Sequence, residues 1–186
     1  MRGANTPAVA RRLLIVAALL GGAQLQSATL EQLSMGDLIA KSTSIIRGTV
    51  QGSTAAFTGP VIFTHYRVQV IEHWKGSPGV VVDVAVPGGA ANGLRQTYSG
   101  APQFAPGEQY VLFLWTGKSG MTQIMGFSQG VFAVAPGGAS DPSLTREASH
   151  EMMLDAKTHS QVNDRPLTLR LSALRSLVAR TLEAAQ

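Results

Sequence analysis

The segment Gly126-Phe127-Ser128-Gln129-Gly130 spells G-x-S-x-G, the spacing that lifts a nucleophilic serine hydroxyl out of a tight turn in many hydrolases. An acid and a base come later in workable order, Asp141 and then His150 or His159. The motif needs a helix after the serine. The next residues, Val131-Phe132-Ala133-Val134, read as a strand, so the glycines are expected to bound a link between two antiparallel strands. Gly117-Lys118-Ser119 ends like a phosphate-binding loop, but its first glycine would fall on Leu112 and no helical pattern comes after it. It reads as a hairpin turn. His150-Glu151 opens like a zinc-binding helix, yet the second histidine would fall on Leu154. His150, Asp155 and His159 remain a minor candidate metal set, and no cofactor is expected.

A second group of residues belongs to recognition. Residues 87–108 are rich in glycine and proline, carry few periodic apolar positions and read as one long loop, a length that tends to be functional or mobile. The loop offers Arg95, Gln96, Tyr98, Gln103 and Phe104. An exposed arginine with two aromatics is the chemistry that anchors protein interfaces, so Arg95, Tyr98, Gln103 and Phe104 are the candidate partner-binding residues. His65 and Arg67 on a strand face read as solvated, and Trp74 and Trp115 as core residues at strand ends.

Patterning along the chain supplies the scaffold for these groups. Residues 1–28 read as a secretory signal, with Arg2, Arg11 and Arg12 ahead of the apolar run Leu13–Leu20. That run is too short to span a membrane, and cleavage is expected after Ala28 or Ala23. Of 186 residues, 45 % are hydrophobic and only 14 % charged, which excludes a disordered chain. With no cysteine there is no disulfide, thiolate site or cysteine lipid anchor, so no membrane anchor is expected once the signal is removed. The chain carries a formal charge of +4, but three of its 15 basic residues lie in the leader. The remaining 12 face 11 acidic residues, a net +1 that removes the basis for nucleic-acid binding.

Residues 29–43 read as a short helix with Ser34 and Asp37 at capping-box spacing. Ser44–Gln51 reads as a strand leading into a turn at 52–56, and Val61–Trp74 as a strand whose alternation slips near Ile71, the mark of a bulge. Val80–Val86, the doubly buried run Tyr110–Trp115, Met121–Met125 and Gly130–Ala135 complete the β region. Residues 141–165 are polar. Leu171, Leu174, Leu177, Val178 and Leu182 then line one face of a C-terminal amphipathic helix expected to pack back on the β region.

The runs "SIIRGTV", "YRVQVIEHWKG", "VVVDVAVPG" and "FAPGEQYVLFL" resemble the netrin-like domain, the OB-type barrel of the tissue inhibitors of metalloproteinases, and a group of exported bacterial proteins with the same signature. The similarity covers about residues 34–135. It implies a closed five-stranded barrel used as a protein-binding module. The inhibitors' zinc-chelating N-terminal cysteine has no counterpart here, so no site residue is carried over.

The expectation is therefore a mainly β protein: a small closed OB-like antiparallel barrel over 29–140 with a short N-terminal helix, then a polar segment and C-terminal helix over 141–186. It is expected to be exported to the periplasm or medium and to bind another exported protein through loop 87–108, with its oligomeric state open. A small secreted serine hydrolase using Ser128, and a glycan or small-molecule binder at the barrel mouth, are the alternatives.

Overall fold

The structure, a computed structural model, describes residues 29–149 and 151–185; the signal-like leader and His150 lie outside them. The described residues are mainly β, with two helices among them. β1 (Thr29–Gln32) precedes α1 (Met35–Lys41), and β2 (Ser44–Thr58) and β3 (Val61–Lys75) form a long hairpin. β4 (Val81–Pro87), β5 (Gly89–Ala91), β6 (Leu94–Gln96), β7 (Gln109–Thr116) and β8 (Thr122–Ile124) come next. A 3-10 turn at Phe127–Gly130 leads into β9 (Val131–Val134), β10 (Ser143–Arg146), β11 (Met152–Asp155), β12 (Gln161–Val162), β13 (Leu167–Arg170) and α2 (Leu171–Glu183).

The capping box forms as its spacing demands. The Ser34 hydroxyl accepts from Asp37 N–H at 3.1 Å, and the Asp37 carboxylate accepts from Ser34 N–H at 3.2 Å. Residues 29–32, however, are not helix. They form β1, which pairs in parallel with β11 through Thr29–Met152 to Gln32–Asp155, and β12 completes that small sheet. The Ser34 cap starts the helix at Met35 and leaves the residues before it free to pair as a strand.

The main sheet runs β13-β10-β9-β7-β2-β3-β4. Residues 52–56, expected to turn, instead continue β2 against β3 as far as Thr58, with the reversal postponed to Gly59-Pro60. The bulge at Ile71 forms: Arg47 pairs with Glu72 and Gly48 with Val70, which leaves Ile71 without a partner on β2. β7 is the spine of the sheet and is buried on both faces. On one side Val111 and Phe113 join Ile45, Phe132 and Leu144 beneath Leu38 and Ile39 of α1 and Leu171, Leu174 and Val178 of α2. On the other, Tyr110, Leu112 and Leu114 pack with Ile46, Val50, Tyr66, Val68, Val84 and Val86.

The sheet does not close into a barrel, contrary to the sequence expectation. β4 and β13 stand at its two ends, and β8 pairs only with the outer end of β7. Closure would need a ladder between β4 and β8. β8 has three residues, and Pro87 of β4 brings no N–H where the two approach, around Ala85, Val86, Gln123 and Ile124. The first half of β4 diverges, and a cleft of about 440 Å³ opens between Val81–Asp83 and Thr116, Gly120 and Thr122.

The segment 141–165 carries β10 to β12 within its polar sequence. Arg146 of β10 clasps Asp164 with two bonds of 2.7 and 2.8 Å, and the Asp164 side chain is only 4 % exposed. Burial pushes its carboxyl up, but the Arg146 bonds and Ser149 N–H more than offset that and hold it below its ordinary value. A depressed folded value contributes stability that is complete above the unfolded value of about 3.9, and is lost as pH falls through the folded value. Urea midpoints should therefore decline more steeply below about pH 4 in the native chain than in Asp164→Asn, which should already be weaker at neutral pH. Equal acid slopes in the two would remove this pair from the stability account.

Candidate functional site

The segment 87–108 is not one loop. Asn92 and Gly93 both take positive φ, 51° and 76°, and join β5 to β6 in a tight hairpin whose last pair is Ala91–Leu94. Asn-Gly between short runs is the strongest local hairpin signal, and it was present in the sequence. The flanks are tied to the β2–β3 hairpin. Gly88 N–H donates to Ile62 O at 2.7 Å, and the Thr64 hydroxyl donates to Gly88 O at 2.7 Å. The Gln96 amide accepts from Ile62 N–H at 2.6 Å and donates to Pro60 O at 2.9 Å, so one side chain substitutes for a ladder strand. Ser99 Oγ donates to Glu151 and holds the far side of the segment.

This clamp brings three of the four expected residues together. Arg95, Tyr98 and Gln103 line a cleft of about 230 Å³ whose remaining wall includes Thr64, Tyr66, Val86 and Thr97. Arg95 and Gln103 are exposed, and Tyr98 is 39 % exposed. Leu94, at the hairpin tip, is 61 % exposed. The fourth residue does not belong with them. Phe104 is 7 % exposed and sits edge-on between Tyr66 and Tyr110, both at 4.9 Å between ring centres, so its ring belongs to the core and not to a contact surface. A single aromatic among Pro, Gly and Gln gave no period from which burial could be read.

The G-x-S-x-G motif has a structural role. Gly126 (φ 67°) and Phe127 (φ 56°) open the 3-10 turn between β8 and β9. The Gln129 side chain, 2 % exposed, accepts from Leu33 N–H at 2.8 Å and donates to Glu31 O at 3.0 Å. It pins the link between β1 and α1. Ser128 Oγ is enclosed and has no hydrogen-bond partner among the described residues. The Asp141 carboxylate is engaged by Ser172 N–H and Ser172 Oγ, each at 2.8 Å, where it caps α2 and is held below its ordinary value by those bonds. His159 stands in a turn at φ 54° with its N–H on Asp155 O at 2.9 Å, while the Asp155 carboxylate accepts from Lys157 and Thr158. Among the described residues no group of three His, Asp or Glu is placed to hold a metal. Gly117–Gly120 forms the β7–β8 hairpin turn.

A further cleft, of about 560 Å³, was not legible in the sequence. The end of β9, Ala133 and Val134, and the small residues Ala135–Ala139 of the β9–β10 connection form one wall, with Arg47, Glu108 and Gln109 on the other. Its charges are already engaged. Arg47 bonds Glu72 and Gln109, both at 2.9 Å. Glu72 also accepts from Trp74 and Arg175, which with Arg47 outweigh its burial and hold its carboxyl below the ordinary value. Glu108 takes the hydroxyl proton of Tyr110 as a hydrogen bond, and burial together with that carboxylate pushes the phenol up to about 12, so it remains a donor. Trp74 is half-buried beneath the Arg175 guanidinium, 5.8 Å from its ring centre, whereas Trp115 is exposed. His65 approaches Asp83 at 2.7 Å on the β3–β4 face.

Comparison with models of protein families, with curated proteins and with solved structures gives no match to this chain. The fold defines a mainly β protein with an open, two-faced sheet backed by two helices. No helix among the described residues is long and apolar enough to cross a membrane.

Proposed function

We propose that this chain is an exported, non-enzymatic module that binds another protein through the surface formed by Leu94, Arg95, Tyr98 and Gln103. The observation that carries the reading is the clamp on 88–99: the Gln96 amide, Gly88 N–H and Thr64 hydroxyl hold an exposed leucine, arginine and tyrosine in one conformation before any partner arrives. A preordered loop avoids much of the ordering cost of association, and arginine and tyrosine are the residues that concentrate interface energy. The leader sequence supports export. The enclosed Ser128 hydroxyl and the commitment of Asp141 to α2 favour binding over hydrolysis. The resemblance to netrin-like modules points the same way.

Affinity capture from the exported proteins of the producing cell tests this, comparing the native chain with a Leu94→Ala/Arg95→Ala/Tyr98→Ala variant. Phe104 is left intact because its loss would weaken the fold. A partner retained by the native chain and lost at least about tenfold in the variant is the expected result, since hot-spot truncations cost at least about 1–2 kcal/mol each. Equal recovery by both would place the interface elsewhere.

A further inference from the structure

Arg95 is the only charged residue between positions 87 and 107, and the only charged residue lining the 230 Å³ cleft. Among the described residues it enters no ion pair, while Arg47, which lines the 560 Å³ cleft, is matched by Glu72. The cleft therefore presents one positive charge with no ion-pair partner among the described residues, beside Tyr98 and Gln103. Its volume matches a single side chain and excludes a folded element.

We infer that the partner is held by an acidic side chain, an aspartate or glutamate carboxylate seated in this cleft and paired with the Arg95 guanidinium. The inference rests on the proposed binding surface and names the chemistry recognised there. A planar guanidinium meets a carboxylate with two parallel hydrogen bonds, a geometry that a lysine ammonium cannot reproduce. Tyr98 and Gln103 supply further donors for the same oxygens. A neutral sugar would leave the guanidinium charge unmatched, so the electrostatics favour an acidic peptide group.

The test is an NMR titration of the full chain, monitoring the Arg95 side-chain Nε–H and the Tyr98 and Gln103 amides. The probes are acetyl-Gly-Glu-Gly-amide, its Gln counterpart and a sulfated disaccharide. The Glu peptide should shift all three signals and bind at least about tenfold more tightly than the Gln peptide, as charge-assisted bonds are about twice as strong as neutral ones. Arg95→Gln should abolish the difference between the peptides, and Arg95→Lys should retain only part of it. Unmoved Ile62 and Gly88 amides verify that each variant keeps the clamp. Equal binding of the two peptides, no shift with either, or tighter binding of the sulfated disaccharide would overturn the inference. Loss of the partner in the capture experiment with Leu94→Ala/Tyr98→Ala, in which Arg95 is kept, would in each of those cases leave the binding surface standing and remove only its acidic ligand.

Discussion

Replacing Gln129 by alanine lowers the stability of the fold by about 2–4 kcal/mol, while replacing its neighbour Ser128 by alanine changes it by less than about 1 kcal/mol. The two residues share one motif and differ in what their polar atoms do. The Gln129 amide satisfies Leu33 N–H and Glu31 O in a nearly solvent-free position, so its removal strands a donor and an acceptor that fold with it. Each stranded group costs about 1–3 kcal/mol. The Ser128 hydroxyl has no partner to lose among the described residues. Gln129→Glu separates the two bonds, because it keeps an acceptor for Leu33 N–H but offers no donor to Glu31 O and sets a charge in a buried site. Urea denaturation of the three variants should rank Ser128→Ala nearest native and Gln129→Glu no better than Gln129→Ala. A large loss from Ser128→Ala, with Gln129→Ala near native, would show that the motif is not a brace. In hydrogen exchange, the Gln129→Ala protein should also release the amides of β1 ahead of those in β7, since Gln129 is what ties residues 31–33 to the β8–β9 turn.

Phe104→Ala is the other large effect, a loss of about 3–5 kcal/mol as expected for an aromatic removed from a packed core. Its ring fills the space between Tyr66 and Tyr110, and the phenol of Tyr110 in turn donates to Glu108. The cavity left behind would loosen the floor of the Arg95 cleft, because Tyr66 belongs to both. Tyr98→Ala, on the exposed side of the same segment, should cost less than about 1 kcal/mol. Partner binding should show the reverse preference once the proteins are compared under conditions where both are folded. Thermal unfolding of the two variants separates a residue that supports the surface from one that forms it. Equal stabilities would return Phe104 to the contact surface.

Much of the fold could be read from local patterning. The Ser34–Asp37 cap, the slip at Ile71 and the apolar stripe of α2 are each decided by residues close in sequence and formed as expected, and the run expected to be buried over Tyr110–Trp115 is buried as far as Leu114, with Trp115 exposed. The failures have a common cause in tertiary pairing. Residues 29–32 carry a helical-looking pattern but are claimed by β11, more than a hundred residues away. Residues 52–56 look like a turn but are extended by β3, whose long alternating run gives them a partner. Barrel closure depends on whether β4 and β8, which lie in contact, also form a hydrogen-bonded ladder, and no local pattern encodes that pairing. The site divides along the same line. Arg95, Tyr98 and Gln103 could be named from residue type, whereas the clamp that orders them runs through Gln96 to Pro60 and Ile62 and was invisible without the fold. Asn92-Gly93 was a legible signal that the glycine-rich context obscured.

The most direct measurement is site-specific photo-crosslinking of the full chain in its own cell, with the reactive group placed at position 98 in one protein and at position 115 in another. Both native side chains are exposed, and Trp115 lies on the face of β7 that carries Phe113, away from Tyr66 and the cleft. A discrete adduct with one other protein from position 98, lost when Arg95 is replaced by glutamine and absent from position 115, is the predicted result. An adduct from position 115 alone would contradict the proposed surface, and no adduct from either position would contradict the proposal that the chain is a protein-binding module.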